Sequence, residues 1–403
     1  MLSKKFKNKN GITLVALVIT IIILLILSTI SIQSLTNTGL FAKAQEAKAK
    51  SQNAEENQAK TLNEYEDELN KYISGTAKET FKGTTVADAI KYADILNNDN
   101  NTELQDAYGN KIVVPAGFKI VSNGDTNNAT TVDKGIVIED ATVDSEGKAT
   151  ATSGSHFVWI PVGTIYTDIG HTEINKKTIE LGRYNFNETT GAKSAYSGKY
   201  VEEDKGDTNT TLKNYGNTLA KNITNFTNSV TTNGGYYIGR YEARTSTARS
   251  SKNDALTQIT EKGTDQVYNY VTQLQSAQLA QNMYNSNKYT SDLMNSYAWD
   301  TATLFLQTCG EEKYSIKKSV NSSLASKGTN ASDYTGTRDN VCNVYDMTSN
   351  VWEWTTETSV NSNTPCVHRG GSCYNSYIYT SYRANAYTSY TDGYLGFRPL
   401  LYL

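Results

Sequence analysis

The longest apolar run of the chain lies close to its N-terminus. Residues 12–32 read ITLVALVITIIILLILSTISI without a single charge, and four lysines precede them, at positions 4, 5, 7 and 9. About 20 consecutive apolar residues cross the hydrocarbon core of a bilayer, and flanking lysines stay on its cytoplasmic side. The pattern therefore predicts a transmembrane helix with the bulk of the chain outside the cell.

A second helical pattern follows this run. Residues 42–73 are rich in Ala, Glu, Lys and Gln, which are strong helix formers, and Leu62, Tyr65 and Leu69 recur at helical spacing. Gly75 comes just after the last periodic residue, where a helix is expected to stop. We predict a leader over residues 1–11 and a transmembrane and stalk helix over residues 12–74.

The next region, residues 75–155, has the pattern of a small β-rich spacer. One helix is predicted over residues 86–93, and the small, polar residues 140–155 predict a loop. Apolar runs bounded by turn residues predict strands at 111–115, 118–121 and 135–138.

A denser mixture of strands and helices begins at His156. A long polar insertion is predicted over residues 184–234, with one helix around residues 212–226. Strands are predicted at 157–162 and 234–242, and helices at 265–284 and 294–309. Strands and helices that do not alternate regularly indicate an α+β domain over residues 156–403.

Charge and cysteine content limit the classes of partner and site that the chain is expected to have. The 403 residues carry a net charge of −3, so no basic field favours nucleic acid as a partner. Cys309, Cys342, Cys366 and Cys373 show no CxxC spacing of a zinc or redox motif. In an extracellular domain they could form one or two disulfides, with three possible pairings; free thiols are the alternative.

The segment from Arg369 to Arg398 has an unusual composition. Between RGGS and GFR it consists mainly of Tyr, Ser, Asn, Thr and Ala, the composition of an antibody-like contact surface. Alternate residues of a strand face opposite sides, so some of the tyrosines are expected to face inward. The predicted ligand-binding residues are Tyr374, Asn375, Ser376, Tyr377, Tyr379, Thr380, Tyr382, Asn385, Tyr387, Ser389, Tyr390, Asp392 and Tyr394.

The start of the chain resembles a type IV prepilin. A short basic leader ends at Gly11, and Ile12 opens the apolar helix. The resemblance implies that a prepilin peptidase cuts between Gly11 and Ile12, and that the mature helix anchors the protein in the membrane until it packs with other pilins. Major pilins usually have Glu where this chain has Ala16, so a minor pilin at a filament tip fits better. A plain signal anchor is the alternative.

Three motifs near the C-terminus resemble the formylglycine-generating enzyme (sulfatase-modifying factor) family. They are NVYDMTSNVWEWT at residues 343–355, RGGS at residues 369–372 and GFR at residues 396–398. The resemblance covers residues 156–403. It implies a C-type-lectin-like fold with a twisted antiparallel sheet, two helices and much irregular structure.

Several motif residues suit a scaffold. Arg369 and Arg398 are candidates for buried guanidinium groups paired with carboxylates such as Asp346 or Glu353. The resemblance also implies structural Ca²⁺ at Asn350 and Glu353, because family members bind calcium near such an Asn-x-x-Glu sequence. Oxygen atoms of these side chains suit this hard cation, and a hydrogen-bonded turn without metal is the alternative.

The copper site of the family's oxidase is not expected here. That oxidase uses cysteines three and eight residues after the Ser of RGGS, and thiolates suit Cu(I). Here those positions are Asn375 and Thr380, and Cys373 has the wrong offset. We predict no copper and no enzymatic activity, and we interpret His368 as a polar surface or strand-edge residue. A copper-dependent oxidase is kept as the less favoured alternative.

The C-terminus also resembles the variable proteins of diversity-generating retroelements, which place a hypervariable segment between RGGS-like and GFR-like residues. Adenine-directed mutagenesis of Asn codons cannot produce Lys, Gln, Glu, Met or Trp, and residues 373–394 contain none of them. The sequence therefore predicts a surface-displayed or pilus-displayed adhesin-like protein that binds a protein or glycan through a variable segment. A structural minor pilin without a ligand is the alternative.

Overall fold

The computed structural model describes residues 14–37, scattered positions between 43 and 65, and residues 81–121, 129–143, 149–202, 223–319 and 339–403, apart from 93 and 376. The chain divides into two compact units, Met1–Glu79 and Thr80–Leu403.

The first unit contains helix α1, Leu14–Asn37, whose side chains are described from Val15 to Thr29 and are exposed. Among the residues whose placement is described, no helix combines the length and the apolar character needed to cross a membrane. The predicted cleavage site, Gly11 and Ile12, lies outside the described residues, as does most of the predicted stalk.

Among its described residues, the second unit contains four further α-helices and many short strands. The helices are α2 Val86–Lys91, α3 Ile223–Asn233, α4 Gln273–Gln281 and α5 Ser296–Phe305. The first ten strands are β1 Thr102–Gln105, β2 Lys111–Val114, β3 Phe118–Ile120, β4 Val137–Val143, β5 Ala149–Pro161, β6 Gly163–Tyr166, β7 Lys176–Ile179, β8 Tyr184–Phe186, β9 Lys193–Ala195 and β10 Tyr200–Val201. The others are β11 Gly235–Gly239, β12 Arg244–Thr245, β13 Gln266–Val267, β14 Thr290–Leu293, β15 Asn340–Val341, β16 Val344–Tyr345, β17 Trp352–Ser359, β18 Cys366–Arg369, β19 Arg383–Ala386, β20 Leu395–Phe397 and β21 Pro399–Tyr402.

Two sheets organise this unit. A six-stranded sheet has the order β14-β21-β11-β5-β4-β3, and a five-stranded sheet has the order β10-β17-β18-β19 with β20 paired to β17. Buried side chains such as Trp159, Tyr237, Trp354 and Phe397 form one apolar core. The mixture of helices and strands agrees with the predicted α+β class.

The predicted spacer shares this architecture. Its strands β3 and β4 belong to the six-stranded sheet, and β5 runs through residue 155, where the sequence predicted a domain boundary. Residues 140–143 and 149–155 do not belong to the predicted loop, because β4 and β5 form an antiparallel pair there. The Ser155 N–H donates to Asp140 Oδ1 (2.9 Å), so a buried carboxylate stabilises a polar stretch that lacks the apolar pattern of a strand.

The helix predicted over residues 265–284 is shorter in the structure. Residues 266–267 form β13, and Tyr270 has a φ of 54°, which a continuous helix does not allow. Helix α4 begins only after Thr272, whose hydroxyl accepts from the Gln275 N–H while the Gln275 side chain accepts from the Thr272 N–H. This reciprocal capping box fixes the start of the helix.

The helix predicted over residues 294–309 is present with changed limits. Helix α5 begins after Asn295, which caps it through its side chain, and a π-helical turn, Leu306–Gly310, continues it. Most of the helix predicted around residues 212–226 lies outside the described residues, and the described helix of the polar insertion is α3, Ile223–Asn233. Helix α5 places Trp299 and Asp300 beneath the C-terminal segment, where both make contacts described below.

Candidate functional site

Arg369, at the end of β18, anchors the start of the C-terminal segment. Its guanidinium is completely buried and donates to Glu357 Oε2 (2.9 Å), Asp300 Oδ1 (2.5 Å) and the carbonyl oxygen of Tyr382 (3.2 Å). Two carboxylates therefore contact one buried cation, and Nε of the same side chain binds the main chain of the segment. The sequence predicted a buried Arg369 but named other partners for it.

A second arginine, inside the segment, completes this cluster. Arg383 donates to Glu357 Oε1 (3.0 Å) and to the second carboxylate oxygen of Asp300. Burial alone would raise the pKa of Glu357, but Arg383, Arg369 and Arg183 outweigh burial and lower the pKa to about 2. We call Arg369, Arg383, Asp300 and Glu357 the arginine frame.

Arg398 anchors the other end of the segment. It donates to both oxygens of Glu353 (2.6 and 3.1 Å) and to the carbonyl oxygens of Gly239 (2.8 Å) and Tyr345 (2.7 Å). Arg398 and Glu353 are both buried, so the predicted pairing of these two residues is confirmed. A bidentate pair of this kind fixes the orientation as well as the charge.

The glycines after Arg369 are required by close packing. Gly370 has a φ of 75°, and a Cβ atom there would lie 2.4 Å from the carbonyl oxygen of Met347. A Cβ at Gly371 would lie 2.2 Å from the carbonyl oxygen of Thr348. Both positions exclude any other residue without movement of the backbone.

The surrounding domain holds residues 373–394 partly through their main-chain carbonyl groups. Within the described structure, four side chains outside these residues donate to carbonyl oxygens within them. The bonds run from Trp299 Nε1 to Thr380 (3.2 Å), from Arg369 Nε to Tyr382 (3.2 Å), from the Tyr200 hydroxyl to Arg383 (3.4 Å) and from Asn269 Nδ2 to Gly393 (2.9 Å). Every residue type has a carbonyl group, so these bonds do not depend on the side chains of the segment.

The outer side of the segment exposes aromatic rings to water. The side chains of Tyr374, Tyr377 and Tyr387 are 69%, 68% and 52% exposed, and we call these three residues the tyrosine face. Tyr374 packs on Tyr394 with ring centroids 5.0 Å apart, and Tyr387 meets Tyr390 edge to face at 5.3 Å. These contacts restrict the rings before any ligand binds.

The other predicted contact residues differ in how far they are buried. Ser389 is exposed, and the half-buried ones are Asn375, Tyr379, Tyr382, Asn385, Tyr390, Asp392 and Tyr394. Tyr379 donates to Glu188 Oε1 (2.5 Å), Tyr390 donates to Asp392 Oδ2 (3.3 Å) and Asn385 accepts from Tyr200 (3.1 Å). Ser376 lies outside the described residues. The prediction for Thr380 is corrected, because this residue is completely buried and its carbonyl oxygen accepts from Trp299 Nε1.

His368 is also not where the sequence placed it. It lies in the middle strand β18, is 7% exposed and packs between the rings of Trp352 (5.3 Å) and Trp354 (5.6 Å). Burial lowers the pKa of His368 to about 4, so the ring is neutral at physiological pH. The surface or strand-edge interpretation is therefore wrong.

The geometry gives no support to calcium at Asn350 and Glu353. The Asn350 amide donates to Glu242 Oε2 (2.5 Å), while Arg398 occupies both oxygens of Glu353. A carboxylate neutralised by a guanidinium is a poor ligand for a divalent cation. Within the described ranges, no group of three or more His, Cys, Asp or Glu side chains is arranged to hold a metal ion.

The residues at the family's copper positions do not fit copper. Asn375 and Thr380 offer an amide oxygen and a hydroxyl, which are hard ligands, and Cu(I) prefers thiolates. Cys373 is buried, and its main-chain N–H donates to the carbonyl oxygen of Asn350 (2.9 Å). No catalytic step through copper follows from this arrangement.

The sheets, the helices and the buried arginines define a C-type-lectin-like domain. The family model for the sulfatase-modifying factor enzyme 1-like domain matches residues 143–401, more than half of the chain, and the protein belongs to this family. The match begins upstream of the predicted start at residue 156.

Comparisons with curated proteins and with solved structures do not extend this family assignment. No curated protein matches the sequence. Among solved structures, Treponema denticola variable protein 1 aligns with 13% identity over 62% of this chain and 96% of its own, with a TM-score of 0.30. That score is too low to support a structural argument.

Sequence reasoning missed three residues of the arginine frame. Asp300 lies in helix α5, Glu357 in β17 and Arg383 inside the segment predicted to bind ligand, and all three are buried. One signal was available. Arg383 is the only charged residue besides Asp392 between residues 373 and 394, and an isolated charge in a Tyr-rich segment often has a partner.

Proposed function

We propose that the protein binds a ligand through the tyrosine face. The observation that carries this proposal is the exposure of Tyr374, Tyr377 and Tyr387 on a segment whose main chain is held by buried donors. Exposed aromatic rings on a fixed backbone supply contact area at a low entropic cost. The ligand is a protein or a glycan.

A binding experiment with matched variants tests this role. The purified full chain is applied to an array of purified cell-surface proteins and to an array of glycans. The triple change of Tyr374, Tyr377 and Tyr387 to Ala should remove the signals while the circular dichroism spectrum stays unchanged. The control changes Ile169 and Ile174 to Ala, which are 81% and 85% exposed but belong to a different hairpin. Retained binding by the triple variant, or loss of binding by the control, contradicts the proposal.

We further propose that residues 373–394 are diversified by a retroelement. The absence of Lys and Glu from this segment supports the proposal, and so does its attachment through carbonyl groups. The DNA beside the gene tests it. A near-identical repeat of the 3′ end next to a reverse transcriptase gene is expected. Absence of both removes diversification but leaves ligand binding standing.

Display outside the cell is part of the same proposal and rests on the sequence of residues 1–32. Protease added to intact cells should then cleave the protein, and a change of Gly11 to Val should leave the leader attached, as measured by intact mass. A mature mass that still includes residues 1–11 in the unchanged protein contradicts pilin-like processing.

We also propose that this family member is not catalytic. Support comes from the hard oxygen ligands at Asn375 and Thr380. Incubation of the copper-treated protein with a cysteine-containing peptide should yield no aldehyde product by mass spectrometry. Formation of the aldehyde would restore the oxidase alternative.

A further inference from the structure

Two of the four cysteines border one cavity. Cys309 belongs to the π-helical turn that continues helix α5, and Cys342 lies in the turn between β15 and β16 with a φ of 46°. Both line a cavity of about 610 Å³, together with Lys134 and Glu311. The two thiols come from elements that are far apart in sequence and share one wall of solvent-accessible space.

Contacts and charges place the two thiols close to each other. A Cβ atom built on Gly310, the residue after Cys309, would lie 3.0 Å from Cys342 Sγ. The Cys342 thiol donates to the carbonyl oxygen of Asp133 (3.4 Å), and neither cysteine is fully buried. Burial, and then the neighbouring Cys342 thiol, raise the pKa of Cys309 to about 12. The pKa of the Cys309 thiol is therefore sensitive to the neighbouring Cys342 thiol.

The other two cysteines are separated from this pair and from each other. Cys366 pairs with Thr358 in the sheet, whereas the Cys373 N–H bonds to Asn350. Thr358 and Asn350 lie eight residues apart along an extended stretch, a separation on the order of 20 Å at about 3.3 Å per residue. A disulfide needs Cα atoms within about 7 Å of each other, so Cys366 and Cys373 do not pair.

We propose that Cys309 and Cys342 form a disulfide in an oxidising compartment. The oxidant is a small-molecule disulfide such as oxidised glutathione. One cysteine thiolate attacks it, which releases one glutathione thiol and leaves a mixed disulfide. The second cysteine thiolate then attacks the cysteine sulfur of that mixed disulfide and releases the second glutathione. Two S–H bonds are lost in the protein, one S–S bond forms, and two electrons and two protons leave with the two glutathione molecules.

The bond would link the two supports of the C-terminal segment. The turn with Cys309 continues helix α5, which carries Asp300 of the arginine frame. The β15–β16 turn with Cys342 leads into Tyr345, whose carbonyl oxygen accepts from Arg398. A covalent link between them would hold both ends of the segment at a fixed spacing, and this inference does not depend on ligand binding.

Peptide mapping of the full chain tests the pairing. The protein is treated with oxidised glutathione, free thiols are alkylated with iodoacetamide, and a protease that cuts before Asp digests the product. Cuts before Asp300, Asp333, Asp339 and Asp346 separate Cys309 and Cys342 from each other and from the other two cysteines. We expect residues 300–332 linked to residues 339–345, with faster formation at about pH 9 than at pH 7, because the thiolate is the attacking species.

Variants separate the proposed bond from general oxidation. Cys309→Ser and Cys342→Ser should each abolish the link, and Cys366→Ser should leave it intact. In the unchanged chain the midpoint of urea unfolding should rise on oxidation, and neither of the first two variants should show this rise. Linkage to residues 346–391, glutathione retained on Cys309 or Cys342, or full alkylation of both would overturn the proposal.

Discussion

The two sides of the segment from residue 373 to residue 394 differ in almost every physical respect. The inner side consists of a buried arginine, small residues and carbonyl groups in fixed hydrogen bonds. The outer side consists of tyrosines whose rings lie largely in water. The comparison teaches that the residues that stabilise the segment differ from those that carry the proposed recognition, so that one set can change without the other.

The largest effect is expected at the closing anchor. A change of Arg398 to Met removes the partner of Glu353 and leaves a buried, uncompensated carboxylate, which typically costs about 3–5 kcal/mol of unfolding free energy. Urea unfolding followed by circular dichroism measures this loss. A variant as stable as the unchanged protein would show that the inner side does not carry stability.

Acid should weaken the ion pairs of the inner side. The folded-state pKa of Glu357 is lowered to about 2, so its contribution is present above the unfolded-state pKa of about 4.3 and is lost as pH falls toward 2. The difference corresponds to about 3 kcal/mol. Unfolding free energies measured across this window should fall for the unchanged protein and fall less for Glu357→Gln. Equal slopes for both proteins would argue against the charge pairing.

A change of Arg383 sharpens the comparison, because this residue lies within the tyrosine-rich segment. Arg383→Met should cost about 2 kcal/mol of unfolding free energy, less than the loss at Arg398, since Arg369 and Arg183 still pair with Asp300 and Glu357. Thermal and urea unfolding measure this effect. The neighbouring change Tyr387→Ser serves as the control within the same segment, and an equal loss in both variants would erase the distinction between the two sides.

The smallest effect is expected on the outer side. Replacement of Tyr374, Tyr377 and Tyr387 by Ser should change the unfolding free energy by about 0.5 kcal/mol or less per residue, as is usual for exposed positions. The same urea titration measures it. A cooperative loss of several kcal/mol would mean that the tyrosine face is part of the core.

Much of this fold could be predicted from local patterns and family motifs. The burial of Arg369 and Arg398 and the position of helix α5 were predicted correctly. The partners of Arg369 could not be predicted, because Asp300 lies 69 residues away in sequence and only the packed fold brings it near. The early stop of the helix predicted from residue 265 depends on the positive φ of Tyr270, although the Thr272–Gln275 capping box was available as a signal.

The two sides of the candidate segment could not be predicted from the sequence. Composition indicated that residues 373–394 form a contact surface, yet it could not separate Tyr377, which is exposed, from Thr380, which is buried. Among the described residues of the segment, only Arg383–Ala386 form a strand. The alternation of inward and outward side chains that a strand imposes therefore does not apply to most of them. Burial there depends on individual turns, which composition does not encode.

The carbonyl bonds from Trp299, Arg369 and Asn269 have a consequence for how new binding properties could arise. A scaffold that holds a segment largely through its peptide backbone, with Arg383 as a side-chain contact, depends little on which side chains the gene specifies at the exposed positions. Mutations on the outer side are then filtered by what they bind and hardly at all by whether the protein folds. Such a scaffold can sample many recognition surfaces from one stable starting point, in nature or in a laboratory library.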